Sequence, residues 1–243
     1  MTRLSNRLKL IAGYIEKGQT MADVGTDHGF LPLYLRENDV CPKIVMTDVS
    51  EFSLNKAKMA FGKHTGDGEV VFRVGDGLFV LDENEVDVVV ISGVGGLLIT
   101  KILGDDAKKA ISFGKYILQP AQGAGKLRYW LHVAGFRIIE EGLAEEGGFI
   151  YETIVCAPPM QIGRIPEMDD YREEIEYELP KSSGELFGRL MEKKLHREKG
   201  ILQMMTDGRA GNAEKIAETE KKIRFLEEKL EEEAAHDAHR RGH

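Results

Sequence analysis

The sequence predicts an α/β domain built on a doubly wound parallel sheet, followed by an α-helical hairpin of coiled-coil type. Two observations carry this prediction. Between Thr20 and Cys156, short and nearly continuous apolar runs alternate with helix-prone segments, as a parallel sheet covered on both faces requires. Beyond the stretch APPMQIGRIPEMDDY the chain turns charged and helix-prone, with a narrow apolar stripe.

Taken in order, the N-terminal stretch MTRLSNRLKLIAGYI reads as an amphipathic helix. It has basic residues but lacks the small-residue cleavage site of a signal peptide. Strands follow at about 20–24, 43–47, 69–74, 86–91 and 115–118, with helices between them at about 30–38, 51–64, 95–112 and 122–134. Such alternation implies right-handed crossovers. Two more strands, 136–144 and 149–156, are joined by Glu145-Glu146-Gly147-Gly148, a connection short enough for an antiparallel hairpin at one sheet edge. This first unit spans residues 1–158.

The second unit, residues 159–243, carries helices at about 182–206 and 212–235 separated by TDGRAGN. In the latter helix Ile216, Ile223, Leu226 and Leu230 keep an a/d-like spacing. The former carries Phe187, Leu190, Met191, Leu195, Leu202 and Met205 on a less regular stripe. An antiparallel coiled-coil hairpin accounts for both; two surface helices packed on the α/β domain are the alternative. The tail HDAHRRGH is expected to fray, with its histidines solvated.

Composition narrows the function classes. Of the 243 residues 42% are hydrophobic, yet no stretch approaches the roughly 18 consecutive apolar residues of a membrane span, so a cytoplasmic protein without a membrane partner is expected. Cys41 and Cys156 fit no metal-ligand or redox spacing, and no other histidine or cysteine stands at ligand spacing to His28; neither a metal nor a disulfide is expected. Net charge is −8. Up to Pro158 there are 17 Lys and Arg against 21 Asp and Glu, and beyond it 16 against 20. A polyanion would therefore have to meet a local basic patch rather than the bulk charge. Nothing in the sequence specifies an oligomeric state; it is compatible with a monomer.

The chemistry concentrates in MADVGTDHGF, residues 21–30. A strand running through Asp-x-Gly-x-x-x-Gly into a helix is how doubly wound folds bring backbone close to a nucleotide. The dinucleotide fingerprint GxGxxG is broken here, because Asp27 stands where its second glycine belongs and a carboxylate repels a pyrophosphate. A P-loop is excluded by the missing Gly-Lys-Ser/Thr. A cationic cofactor fits better: S-adenosyl-L-methionine offers a sulfonium and an ammonium to Asp23 or Asp27. Asp48, 23 residues beyond Gly25 and at the end of the second strand, is placed to accept from ribose hydroxyls. Gly75-Asp76-Gly77 follows the third strand and could meet an adenine amino group. Ser92-Gly93-Val94-Gly95-Gly96 ends the fourth. Singly, each is an ordinary turn or strand-end acid, and His28 beside an aspartate is as readily a structural residue. In this order they form one strand-end site.

Several stretches together carry a family resemblance: LSNRL, ADVGTDHGFLP, DVS, VGDGL, ISGVGG, LQP at 118–120, KLRYWL and FIYE. Over about residues 2–158 the chain resembles the bacterial tRNA (adenine(22)-N1)-methyltransferase family, and the following helices match that family's C-terminal coiled coil. The resemblance implies a Rossmann-like class I methyltransferase domain that uses S-adenosyl-L-methionine to methylate N1 of adenosine 22 in tRNA, with the hairpin helping to hold the RNA. By position, Asp23, Gly25, Thr26, Asp27, His28 and Gly29 form the cofactor loop. Asp48 and Val49 flank the ribose, Gly75, Asp76 and Gly77 the adenine, and Ser92 and Gly93 complete the cofactor site. Val94, Gly95 and Gly96, with Gln119 and Pro120, fall at the target base. Two positions depart from the family pattern: Val94 replaces a usual methionine, and Ala121 an often-found asparagine.

Within that expectation Asp27, Gln119 and Tyr151 are the candidate catalytic residues. Asp27 or the 92–96 backbone would accept from the adenine 6-amino group, while Gln119 and Tyr151 frame the base. Arg7, Arg128, Lys193, Lys194 and Arg197 are the candidate phosphate contacts, with Arg3, Lys9, Lys126, Arg189 and Lys199 nearby in sequence. A solvated helix face explains the 189–199 cluster equally well. Three other functions remain to be weighed: a nicotinamide-dependent oxidoreductase, disfavoured by Asp27; a methyltransferase for another RNA or a small molecule; and an RNA-binding homologue without transfer activity.

Overall fold

The computed structural model describes residues 2–26, 28–62, 68–166, 175–209 and 213–241, the side chains of 208, 209 and 236–241 excepted. Seven strands form one sheet: β1 Met21–Val24, β2 Lys43–Asp48, β3 Glu69–Val74, β4 Val88–Ser92, β5 Lys115–Gln119, β6 Arg137–Glu146 and β7 Phe149–Ala157. Their order is β3-β2-β1-β4-β5-β7-β6. The first five run parallel, whereas β7 pairs antiparallel with both β5 and β6. Strand order thus reverses between β1 and β4, and a crevice opens at the carboxyl ends there.

Side chains alternate across the sheet and fill two cores. Ala22, Val24, Val45, Val89 and Ile91 join Leu103, Leu127, Trp130 and Leu131 on the face covered by α4 Gly96–Asp105, α5 Ala107–Ala110 and α6 Ala124–Ala134. Met21, Ile44, Met46, Val88 and Val90 join Leu8, Ile11, Leu31, Leu35 and Leu54 beneath α1 Asn6–Gly13, α2 Phe30–Glu37 and α3 Glu51–Phe61. Two-sided burial is why these strands read as unbroken apolar runs.

Three boundaries differ from the sequence expectation. The helix expected over 95–112 breaks at Asp106, whose side chain accepts from Lys109 N at 3.1 Å and restarts the chain as α5. The hairpin loop shortens to Gly147-Gly148, with φ of +56° and +80°, since a two-residue turn with both φ positive matches the twist of its strands. The tail, expected to fray, continues α8 from Ala213 through Arg241.

The C-terminal unit contributes α7 Glu185–Met204, a π-helical turn Met205–Arg209, and α8. α7 buries Phe187, Leu190 and Met191, and α8 buries Ile223 and Leu226. The two helices are bridged by Lys199 and Glu227 at 2.7 Å. α7 also reaches the β6–β7 hairpin, through Arg189 to Glu145 and Lys193 to the carbonyl of Gly148. Among the described residues no helix is long and apolar enough to cross a membrane.

Candidate functional site

A cavity of about 510 Å³ lies in the crevice at the carboxyl ends of β1 to β4. Asp23, Gly25, Thr26, His28 and Gly29 line it from the β1–α2 turn, with Asp48 and Val49 after β2. Gly75, Asp76 and Gly77 line it after β3, and Ser92, Gly93 and Val94 after β4. The structure therefore gathers the sequence-predicted cofactor residues in one place; Asp27 lies outside the described residues. Leu8, Phe30, Leu31, Thr47, Ile91, Leu98 and Ile102 complete the wall. These carried no polar motif, and only the inward phase of their helices and strands could have marked them.

The loops are locked by backbone bonds. Gly25 N and Thr26 N both donate to the carbonyl of Thr47, at 2.8 and 3.0 Å, tying β1 to β2. Asp48 Oδ1 accepts from Ser50 N at 2.8 Å, turning the chain into α3. Gly96 N donates to Gln122 O at 2.8 Å and Ala121 N to Val94 O at 2.8 Å. A Cβ at Gly96 would stand 2.3 Å from the carbonyl oxygen of Gly123, so this joint between the β4 and β5 loops requires glycine.

Asp23 dominates the electrostatics. It is 6% exposed, and burial pushes its carboxyl up to about 6 from 3.8; the hydrogen bond from Thr26 opposes the rise, the charge of Asp48 adds to it and Arg7 offsets part. Thr26 Oγ1 donates to Asp23 Oδ2 at 2.6 Å. At the rim the rings of His28 and Phe30 stack, 5.5 Å apart and 2° from parallel. Among the described residues no group of three or more His, Cys, Asp or Glu could hold a metal ion.

A second groove, about 700 Å³, runs from Pro120–Lys126 past Gly148–Glu152 to α7 and α8. Of the predicted substrate residues it gathers Pro120, Tyr151, Lys193, Lys194 and Arg197, together with Lys126 and Lys222. Gly95 and Gly96 do not line it; they cap and begin α4. Gln119, expected at the base, is 1% exposed. Its amide donates to Thr153 Oγ1 at 2.8 Å and its Oε1 accepts from Arg7 Nη1 at 3.3 Å. Its geometry therefore suits holding Arg7 rather than framing a base.

Two expected phosphate contacts, Arg128 and Lys194, are corrected. Arg7, expected on the N-terminal helix, lines the first cavity, with its guanidinium 5.6 Å from the ring centre of Tyr151. Arg128 is 2% exposed and ion-paired with Glu141 at 2.6 Å and Glu152 at 2.7 Å. Lys194 is 9% exposed and holds Glu152 at 2.9 Å and Glu178 at 3.0 Å. Buried and neutralised, Arg128 and Lys194 fasten α6, β6, β7 and α7 together and have little charge left for a polyanion. Lys193 and Arg197 keep exposed side chains on the groove wall, Arg197 beside Glu198 at 3.0 Å.

Residues 4–154 match the model of a family described as a methyltransferase domain. The chain is 35% identical over 154 residues to the tRNA (adenine(22)-N(1))-methyltransferase of Bacillus subtilis, a match covering 63% of this chain and 65% of that relative's length. Among solved structures, the B. subtilis m1A22 tRNA methyltransferase TrmK superposes with a TM-score of 0.80 at 26% identity, over 95% of this chain and 100% of that one. A Streptococcus pneumoniae protein solved in complex with S-adenosyl-L-methionine gives 0.74 at 27% identity, over 94% and 100%.

Proposed function

The chain belongs to the methyltransferase domain family, and on that footing we propose that it transfers a methyl group from S-adenosyl-L-methionine to N1 of an adenosine, position 22, in tRNA. The observation that carries the proposal is the abutment of two sites. An acid-lined cavity at the strand ends neighbours a groove bordered by Lys126, Lys193, Arg197 and Lys222, the two linings touching where Ala121 N donates to Val94 O and Arg7 lies over Tyr151. The relatives' names give the reaction its class: the B. subtilis protein acts on adenine 22 of tRNA, and the S. pneumoniae protein was solved with the cofactor.

The cavity suits the cofactor chemically. Its volume falls within the roughly 300–1,000 Å³ usual for small-molecule sites. Asp23, Asp48 and Asp76 offer hydrogen-bond acceptors to an ammonium and a ribose diol, and negative charge to a sulfonium. A Cβ at Gly25 would meet open space, and Thr47 Oγ1 is buried with no hydrogen-bond partner among the described residues. When bound, the cofactor supplies an electrophilic methyl on positively charged sulfur.

N1 of adenine already carries a lone pair, so the residues' task is alignment, which supplies up to about 7–11 kcal/mol in well-oriented reactions. Ser92–Val94 form the side of the cavity nearest the groove, through the Ala121 to Val94 bond. Tyr151 offers the groove an aromatic face. Asp27 is the proposed acceptor for the 6-amino group on sequence grounds. Extruding the base from folded RNA costs a few kcal/mol, which phosphate contacts along the groove would offset. The two C-terminal helices act in this proposal as a coiled-coil hairpin domain, residues 159–243, that holds the RNA in the cytoplasm.

Unmodified tRNA incubated with isotopically labelled S-adenosyl-L-methionine and digested for nucleoside mass spectrometry should yield labelled 1-methyladenosine. A different methylated nucleoside, or none, overturns the proposal.

A further inference from the structure

We propose that the carboxamide of Gln122 reads the edge of the target adenine that carries the 6-amino group and N7, and so sets which base is accepted. This rests on an adenosine in tRNA being the substrate. Gln122 stands at the joint between the two sites. Its carbonyl accepts from Gly96 N at 2.8 Å, and beside it Ala121 N donates to Val94 O at 2.8 Å. Its side chain lies over the β4–α4 loop, since a Cβ at Gly95 would stand 3.8 Å from Gln122 Nε2 and 3.9 Å from Gln122 Cγ. Val94 lines the cavity and Gln122 the groove. The amide is therefore on the path of a base that moves from the groove toward the cofactor's methyl.

Its chemistry suits that place. A base presented for transfer leads with N1, which leaves the neighbouring 6-amino group and N7 as the edge free for recognition. A carboxamide matches that edge, its oxygen accepting from the amino group and its nitrogen donating to N7, whereas guanine puts an acceptor at position 6. Among the described residues that line the cavity and the groove, Gln122 carries the only carboxamide; the lysines and arginines can only donate and the carboxylates only accept. The side chain is exposed, and among the described residues it makes no hydrogen bond. The amino group has two hydrogens: Asp27, proposed above, takes the one beside N1, and Gln122 the one beside N7. Because the tie to Gly96 is made by the backbone, a change of side chain leaves the joint standing.

The test uses the full chain and tRNA carrying either adenosine or 7-deazaadenosine at position 22; the analogue replaces N7 by a C–H and keeps N1 and the amino group. Single-turnover rates at subsaturating enzyme give an adenosine-to-analogue ratio for each protein. Comparing that ratio between proteins cancels any difference in the reactivity of N1 itself. Gln122→Ala should lower it about threefold to tenfold, the span of one neutral hydrogen bond, while calorimetric affinity for S-adenosylhomocysteine stays unchanged, because Gln122 does not line the cavity. Gln122→Glu should lower it further, since a carboxylate oxygen then faces the N7 lone pair in adenosine but a C–H in the analogue. The same ratio in wild type and Gln122→Ala, or a Gln122→Glu ratio no lower than that of Gln122→Ala, would make Gln122 an ordinary solvated residue and overturn the proposal. A wild type that methylates neither tRNA at N1 removes the underlying substrate assignment instead.

Discussion

Replacing Asp23 by Asn should make the ligand-free protein more stable while weakening its hold on the cofactor. The folded-state carboxyl titrates at about 6 against 3.8 for the ordinary group, mainly because it is buried. A raised acid pKa means that stability is fully present below about 3.8 and is lost as pH rises through about 6, because the unfolded chain ionises first. At 1.36 kcal/mol per pKa unit, the loss above pH 6 comes to about 3 kcal/mol. For a chain of this size one kcal/mol moves the melting temperature by roughly 2–4 °C, so Asp23→Asn should melt about 6–12 °C higher at pH 8. The gap should hold above about pH 6 and shrink between there and pH 4. Comparing the variant with wild type at each pH isolates, to first order, the contribution of this one carboxyl. Thermal scans across that range, with parallel calorimetry of S-adenosylhomocysteine binding, provide the assay. A gap independent of pH, or a variant that melts lower at pH 8, would refute burial as the source of the shift.

Gly96→Ala should lose about 1–3 kcal/mol in urea denaturation, since its Cβ would overlap the Gly123 carbonyl. Gly13→Ala, at the end of α1 with nothing within 4 Å, should instead gain about 0.5–1 kcal/mol. Arg128→Met should cost about 3–5 kcal/mol, because Glu141 loses its buried partner and Glu152 keeps only Lys194; adding Glu141→Gln and Glu152→Gln should recover much of that, and no recovery would mean packing dominates. Both cysteines are buried, with the Cys41 thiol raised to about 12 and that of Cys156 further, so the native protein should resist iodoacetamide at pH 8 while the urea-unfolded chain takes two labels. With four cations lining the groove besides the buried, ion-paired Lys194, the logarithmic salt dependence of tRNA affinity should be no steeper than about −3 to −4; a steeper slope would place phosphates elsewhere on the surface.

β1, β2, β4 and β5 were legible because burial on both faces leaves them mostly apolar, Asp23, Thr47 and Gln119 apart. β1 and the core of β4 are buried at every residue. β6 was harder, since it is a sheet edge and mixes Glu140, Glu141, Glu145 and Glu146 with its apolar residues. The gathering of acids in the strand-end cavity was legible for a topological reason: once β1 to β3 run parallel, Asp23, Asp48 and Asp76 at or just beyond their carboxyl ends must converge. Helix breaks were not, because Asp106 acts through a capping bond to Lys109 within a stretch whose apolar periodicity continues past it.

The cations failed in the opposite direction, and for one physical reason. Sequence shows an arginine or lysine on an amphipathic helix but not the carboxylate that meets it across the fold. Arg128 meets Glu141 and Glu152 on neighbouring strands, and Lys194 meets Glu152 and Glu178. Arg7 lies sixteen residues before Asp23 and reaches the cavity only because α1 is tied to the β6–β7 hairpin, by Asn6 to the Glu145 carbonyl at 3.0 Å and Arg7 to Glu146. An acidic chain of net charge −8 spends much of its positive charge internally in this way. Under the proposed function, the cations at the groove wall would act as local contacts that position an RNA, with little contribution from long-range attraction.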